Sequence, residues 1–176
     1  MEKSHPRTSA LRAGFTLVEI LAIIGIIGLL SGVVIVSVSS ASASARDAQR
    51  REDLDNIQGA LELYFRDHGT YTVAGGGYAG AGNGWLAYED GNAASYPMAV
   101  TRVLFNAGYL GKAIMDDPKT KPSYMIYICN SGLQYAISAT LEKPSANDIA
   151  YIQTTCNGTG ANGTYTVYGK NYALGN

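Results

Sequence analysis

Arg12-Ala13-Gly14-Phe15-Thr16-Leu17-Val18-Glu19-Ile20 is the stretch that decides the fold, because it joins a short basic leader to a long uncharged run. No charged residue follows Glu19 until Arg46. A charged side chain at the end of an apolar helix is costly, and such residues are usually kept for a function. We therefore expect Glu19 to find a partner within apolar surroundings.

Residues 15–38 form an almost entirely apolar segment. As a helix, the part from Ile20 to Val38 is about 28 Å long, which is enough to cross a bilayer core. Proline is absent from Thr8 to Tyr96, and this permits one unbroken helix, because an interior proline costs about 3 kcal/mol. We expect residues 1–14 to be a leader that is processed, and residues 15–38 to be a transmembrane helix.

Three glycines in this segment, Gly25, Gly28 and Gly32, follow one another at three- and four-residue spacing. Such a stripe of small residues lets membrane helices approach closely. Glycine is also commoner in membrane helices than in soluble ones, so both explanations stay open.

Residues 39–69 predict an amphipathic continuation of the same helix. Apolar side chains that share one face recur at three- and four-residue steps. They are Leu54, Ile57, Leu61, Tyr64 and His68. Oppositely charged residues at four-residue spacing predict ion pairs on the other face. These pairs are Asp47 with Arg51, Arg51 with Asp55, and Glu62 with Arg66. Gly69 fits a C-terminal cap, so one helix is expected from Phe15 to about His68.

Residues 70–123 predict a Gly-rich surface loop and a short helix. The glycines between Gly75 and Gly84 lack the Lys-Ser/Thr ending and the flanking strand and helix of a phosphate-binding loop. Residues from Met98 to Leu110 have an apolar helical face that includes Val100 and Leu104.

Residues 124–176 change to a period of two, which is typical of strands. Tyr124–Cys129 and the alternating Leu133–Leu141 predict two strands, the second half-buried, joined by a hairpin turn at Asn130-Ser131-Gly132. Further strands are predicted at Ile149–Cys156 and Tyr165–Tyr168. The expected fold class is α+β, with the long N-terminal helix packed on a small antiparallel β-sheet.

Cys129 and Cys156 are the two cysteines of the chain. In an exported domain an even pair predicts a disulfide, and such a bridge would contribute about 3 kcal/mol by restricting the unfolded chain. The alternative is two free buried thiols.

The sequence contains no recognisable catalytic site, and we expect neither an enzyme nor a bound cofactor. His5 lies in the leader, and His68 lies on an apolar helix face where no nucleophile can be paired with it. Asp116-Asp117-Pro118, with Asn130 or Asp148, could offer oxygens to Ca²⁺. No ligand loop of recognisable spacing is present, so a turn is favoured over a metal site.

The net charge of the chain is −1, and its leader is basic. Nucleic-acid binding needs a basic face, and the sequence suggests none. Nucleic acid is therefore not an expected partner.

The residues from Gly14 to Glu19 resemble the class III signal of type IV pilins and pseudopilins. That pattern is a basic leader ending in Gly, then Phe-Thr-Leu-(Ile/Val)-Glu, then an uncharged stretch of about twenty residues. The chain from Ala45 to Tyr71 also resembles the pseudopilins of type II secretion. The Arg-rich stretch 46–51 and Asp116-Asp117-Pro118 favour a pseudopilin, whereas the cysteine pair favours a pilin, so both stay open.

The resemblance implies a processing site and an assembly contact. A prepilin peptidase would cut between Gly14 and Phe15 on the cytoplasmic side, and Phe15 would be N-methylated as the new terminus. Glu19 would then pair with the amine of a neighbouring subunit's Phe15, which agrees with the need of a buried carboxylate for a cation. The family pattern often has a proline in the membrane segment, and its absence here favours a straight helix.

The resemblance also implies partners and a location. The partners would be identical or related pilin subunits, the prepilin peptidase, an assembly platform, minor pilins and the inner membrane. The precursor would be a single-pass protein of the inner or cytoplasmic membrane with its leader in the cytoplasm. The assembled protein would belong to an extracytoplasmic or cell-surface filament, a type IV pilus or a pseudopilus.

Two other interpretations remain. The chain could be an extracytoplasmic binding domain with an ordinary signal peptide, because Ala41-Ser42-Ala43 fits the small-residue cleavage rule. It could also be such a domain held by an uncleaved anchor. The apolar run is longer than the 7–15 residues typical of a signal peptide, and an anchor gives no role to Gly14, Phe15 and Glu19.

Overall fold

The structure is a computed structural model, and it describes residues 14–112, 117, 119, 124–152, 156 and 168–175, without the side chains of 33–37 and 151–152. The chain divides into two compact units, Met1–Ala41 and Ser42–Asn176. Each unit is considered separately below, although one helix contributes residues to both.

Three α-helices and four strands make up the described chain. The helices are α1 (Leu17–His68), α2 (Val100–Asn106) and α3 (Ala146–Ile152). The strands are β1 (Gly84–Trp85), β2 (Met125–Cys129), β3 (Gln134–Ala139) and β4 (Tyr172–Gly175). The single long helix of the prediction is confirmed. It ends as predicted, because Gly69 has a φ of 71° and donates its N–H to the Phe65 carbonyl at 2.7 Å.

In the first unit, the described side chains of α1 are exposed. Its large apolar residues between Leu17 and Leu30 are 44–80% exposed, so the described part of the chain does not cover them. In the described part of the chain, no helix combines the length and the apolar character that crossing a membrane requires.

In the second unit, the four strands form one antiparallel sheet in the order β1-β2-β3-β4. Ile137 of β3 pairs with Ile126 of β2 and with Leu174 of β4. The predicted hairpin joins β2 to β3, and all three of its turn residues, Asn130–Gly132, have positive φ. The α+β class is therefore confirmed. Strands β1 and β4 were not predicted.

Strand β3 is buried on both faces, so the prediction of a half-buried strand is wrong. Tyr135 and Ile137 are buried as expected, but Ala136 and Ser138 on the opposite face are buried as well. Two separate apolar clusters cover the strand, since successive side chains point to opposite faces and Ala136 belongs to a different cluster from Tyr135. Leu133, predicted to face the core, precedes β3 and is 51% exposed.

The predicted strand at Ile149–Cys156 is also wrong, because α3 covers Ala146–Ile152. A capping box starts this helix. Asp148 donates its N–H to Ser145 Oγ at 3.2 Å, and Ser145 donates its N–H to Asp148 Oδ2 at 2.7 Å. This reciprocal pair satisfies amides that a new helix would otherwise leave unbonded. The predicted strand at Tyr165–Tyr168 lies outside the described residues except for Tyr168, which is in a turn.

One large apolar cluster forms the core of the second unit. It joins residues of α1, α2 and the strands, and all of the following are fully or almost fully buried: Leu54, Ile57, Leu61, Tyr64, Val100, Leu104, Tyr124, Ile126, Tyr135 and Ile137. The short helix predicted from Met98 to Leu110 is present with narrower bounds. The predicted disulfide between Cys129 and Cys156 is present.

Candidate functional site

The start of α1 contains the residues that the sequence singled out. Gly14, Phe15 and Thr16 precede the helix, and Phe15 is 78% exposed. Glu19 Oε2 accepts hydrogen bonds from the N–H and the hydroxyl of Thr16, both at 3.0 Å. In return, Glu19 donates its N–H to Thr16 Oγ1 at 3.2 Å. Thr16 and Glu19 are thus a capping box.

This capping box gives Glu19 a role that the sequence analysis missed. A carboxylate at this position satisfies a free amide and interacts favourably with the positive end of the helix dipole. The spacing Thr-x-x-Glu before an apolar run was the signal that could have revealed it. Both bonds end on Oε2, and Oε1 accepts none from the described residues. Oε1 therefore stays available for a further partner.

A second polar cluster surrounds Arg50 on α1. Arg50 binds Asp117 through two parallel hydrogen bonds, Nε to Oδ2 at 2.6 Å and Nη2 to Oδ1 at 2.9 Å. Its Nη1 also donates to Asp47 Oδ1 at 2.6 Å. The side chains of Arg50 and Asp117 are 2% and 0% exposed. Buried charges persist only when they are paired and hydrogen-bonded, and this arginine meets that need with a bidentate contact.

Asp47 and Arg46 connect the same stretch of α1 to the loop after β3. Asp47 accepts the N–H groups of Glu142 and Lys143 at 2.9 and 2.8 Å. Arg46 holds the Glu142 carboxylate with bonds of 2.6 and 2.9 Å. Hydrogen bonds from Arg46 lower the pKa of Glu142 well below its usual range. One helix turn therefore holds both Asp117 and the loop that carries Glu142.

The ion pairs predicted along α1 are wrong. Arg51 binds Asp148 near the start of α3 at 2.8 Å instead of Asp47 or Asp55. Arg66 pairs with Asp67 rather than Glu62. Glu62 accepts hydrogen bonds from the hydroxyls of Tyr71 and Tyr135. Helical spacing brings the predicted partners close enough, but the tertiary fold offers Arg51 a largely buried carboxylate on Asp148.

The structure does not assemble the calcium ligands considered from the sequence. Asp117 and Asp148 are bound to arginines, Asn130 lies in the exposed hairpin turn, and Asp116 is outside the described residues. Within the described chain, no group of three or more His, Cys, Asp and Glu residues is placed to hold a metal ion. His68 is exposed, and its ring stacks on the Tyr64 ring with 4.0 Å between the centroids.

We expect acid to weaken the fold through these carboxylates. The bond from Arg51 lowers the pKa of Asp148 from 3.8 to about 2, and that of Glu142 is lowered as well. A lowered pKa in the folded state means that the unfolded chain binds more protons in acid. The contribution of these two carboxylates to the free energy of unfolding should therefore be constant between about pH 5 and pH 7 and fall from about pH 4 to pH 2. Urea unfolding at a series of pH values measures it.

Asp148→Asn tests the assignment, because asparagine keeps an acceptor for Ser145 but does not titrate. The variant should be less stable at pH 7 and lose less stability between pH 4 and pH 2 than the parent chain. An unchanged acid slope would contradict the role of Asp148.

Comparisons of this chain with protein-family models, curated proteins and solved structures gave no match.

Proposed function

We propose that the chain is a structural subunit of a type IV pilus or pseudopilus, without enzymatic activity. In this proposal it is cut after Gly14 and polymerises through the N-terminal half of α1, while the second half packs on the sheet. The observation that carries the proposal is the signal-like sequence Gly14–Glu19 at the start of a helix whose first part is apolar and uncovered.

The uncovered apolar surface supports polymerisation. Leaving apolar area in water costs about 25 cal/mol per Å², and ten large apolar side chains between Leu17 and Leu30 of α1 remain exposed. They are Leu17, Val18, Ile20, Leu21, Ile23, Ile24, Ile26, Ile27, Leu29 and Leu30. They occur on every side of the helix, because they occupy most successive positions. Such a helix needs lipid or other helices around it.

We propose that lipid provides this cover before assembly and neighbouring α1 helices provide it afterwards. The proposed membrane span, Ile20–Val38, includes residues 33–37, whose side chains lie outside the described part of the chain. Gly25, Gly28 and Gly32 have no atom within 4 Å of the position a Cβ would take. No contact within the described chain therefore requires glycine at these positions, which supports a role in the approach of another helix.

The ordinary signal peptide is less consistent with this fold. Cleavage near Ala41-Ser42-Ala43 would cut inside α1. Ala43 is buried, and Asp47 and Arg50 a turn or two later hold loops of the second unit. Removing the preceding helix would leave the new end of α1 to fray beside these contacts.

The mature N-terminus tests the proposal. Sequencing and mass measurement of the purified protein should give N-methylated Phe15. A start at Ser44 or Arg46 would favour the signal peptide, and a start at Met1 the uncleaved anchor.

Gly14→Glu should abolish processing, since a small residue before the cut would be replaced by a long charged one. Immunoblotting should then show only the precursor. Gly111→Glu is a matched control, because Gly111 is exposed and open space surrounds it. A mature-size band from Gly14→Glu would contradict the proposed cut site.

A further inference from the structure

We propose that the second unit also binds a short neutral oligosaccharide in a cavity lined by aromatic side chains. The cavity has a volume of about 560 Å³. Five rings line it, and we call it the aromatic cavity: Tyr78, Trp85, Tyr96, Tyr127 and Tyr168. Its volume falls within the range of about 300–1,000 Å³ that is usual for small-molecule sites. The proposal does not depend on the filament function, because Phe15 and Glu19 take no part in it.

Two rings of the aromatic cavity are exposed, and its other three are partly buried. Tyr78 is 55% exposed and Tyr168 is 52% exposed, whereas Tyr124 and Tyr135 of the core are almost completely buried. Contiguous exposed apolar surface rimmed by polar groups marks interaction sites. A ligand that covered these rings would therefore remove exposed apolar surface from water, which favours its binding.

The packing of the rings leaves faces available. Trp85 meets Tyr168 edge to face, with 5.4 Å between ring centroids and 71° between planes. Tyr78 and Tyr96 meet in the same way, at 5.6 Å and 68°. In an edge-to-face pair, one ring contacts the other through its edge, so neither of its two faces takes part in that contact. The face of an aromatic ring is negative and attracts groups with positive edges, such as the C–H bonds on one side of a sugar ring.

Polar groups in the aromatic cavity are held in fixed positions. Asn83 Oδ1 accepts the Ile128 N–H at 2.6 Å, and its amide nitrogen donates to none of the described residues. The Tyr96 hydroxyl accepts the Trp85 N–H at 3.2 Å. Gly84 allows this approach, because it has a φ of 96° and a Cβ there would overlap the Tyr96 hydroxyl. The cavity therefore offers both donors and acceptors.

The absence of charged side chains from the described part of the lining argues against nucleic acid as the ligand. None of its described residues is an acid, a lysine or an arginine. The nearby Lys170 is buried, and its Nζ lies 5.1 Å from the Trp85 ring centroid. Single-stranded nucleic acid stacks on aromatic side chains too, but it needs a positively charged groove. A neutral ligand fits better.

The hydrogen-bonding groups favour a saccharide over a proline-rich peptide. Proline-rich segments also dock in aromatic grooves, but a proline offers only a carbonyl acceptor. A tyrosine hydroxyl both donates and accepts, and so does every sugar hydroxyl. A sugar can thus satisfy these hydroxyls and the Asn83 amide while its C–H face covers a ring.

Tryptophan fluorescence tests the proposal, because Trp85 is the single tryptophan. The full chain, in a detergent without a sugar headgroup, is titrated with cellobiose, maltotriose, N,N′-diacetylchitobiose and a proline-rich decapeptide. We expect saturable binding of at least one saccharide. Tyr78→Ala should weaken it about tenfold, the usual scale for one lost ring contact. Tyr78→Phe should weaken it less than about threefold.

Phe105→Ala is the matched control, because Phe105 is a similarly exposed ring outside the aromatic cavity. It should bind like the parent chain, and circular dichroism checks that each variant is folded. Absence of a response to every saccharide at about 10 mM would overturn the proposal. So would binding of the decapeptide alone, or saccharide binding that Tyr78→Ala leaves unchanged.

Discussion

Arg50→Ala should destabilise the second unit by about 3–5 kcal/mol, the usual cost of removing one partner of a buried ion pair. The variant would leave the Asp117 carboxylate without the two bonds it receives from Arg50. It would also release Asp47, which holds the backbone of Glu142 and Lys143. Chemical unfolding of the full chain in detergent, followed by circular dichroism, measures the loss.

Arg66→Ala provides the control for this experiment. Arg66 lies on the same helix and also pairs with an aspartate, but its side chain is 69% exposed. Exposed ion pairs contribute about 0–1 kcal/mol, so this variant should unfold almost like the parent chain. If the two substitutions lowered the free energy of unfolding equally, the buried ion pair would contribute no more to stability than the exposed one.

A double substitution separates the loss of a favourable contact from the creation of an unpaired charge. Arg50→Met combined with Asp117→Leu removes both charges and keeps most of the buried volume. Replacing buried ion pairs with apolar residues is often neutral or stabilising. We therefore expect the double variant to be more stable than Arg50→Ala. Arg50 Nη1 also lies 3.3 Å from Glu142 Oε1. If the double variant were equally unstable, the contacts of Arg50 with Asp47 and Glu142 would be the dominant ones.

Glu19→Ala should leave processing intact and reduce filament assembly roughly tenfold or more. In the proposed filament, Glu19 neutralises the amine of a neighbouring Phe15 in apolar surroundings, where an unpaired charge costs several kcal/mol. Each 1.4 kcal/mol changes an association constant tenfold. An unpaired amine of Phe15 would therefore weaken the association between subunits by at least about this factor. Immunoblotting reports the mature band, and electron microscopy of sheared filaments reports assembly.

Thr16→Ala distinguishes this pairing from the capping role of Glu19. The variant loses the hydroxyl that bonds with Glu19 but keeps the carboxylate. Loss of a helix cap costs about 0.5–2 kcal/mol, so assembly should decline less than in Glu19→Ala. Equal loss in both variants would assign the effect to the start of the helix, and normal filaments from Glu19→Ala would refute the pairing.

The sequence by itself determined the features that depend on local pattern. The helix from Leu17 to His68 followed from periodicity and the lack of proline, and Gly69 marked its end. The β2–β3 hairpin followed from the alternation around Asn130-Ser131-Gly132. The two capping boxes at Thr16 and Ser145 also depend on local pattern, because each pairs a hydroxyl residue with an acid three positions later.

Only the tertiary structure decided which charges are buried and which strands are central. Arg50 and Arg66 are both arginines on α1 with an aspartate nearby, yet one is enclosed and the other exposed. Their burial depends on residues distant in the chain, such as Asp117, and helical spacing contains no information about where these residues lie. Strand β3 became central because the unpredicted β4 covers its second edge. The aromatic cavity likewise arises from residues far apart in the chain, since Trp85 and Tyr168 meet only when the sheet is assembled.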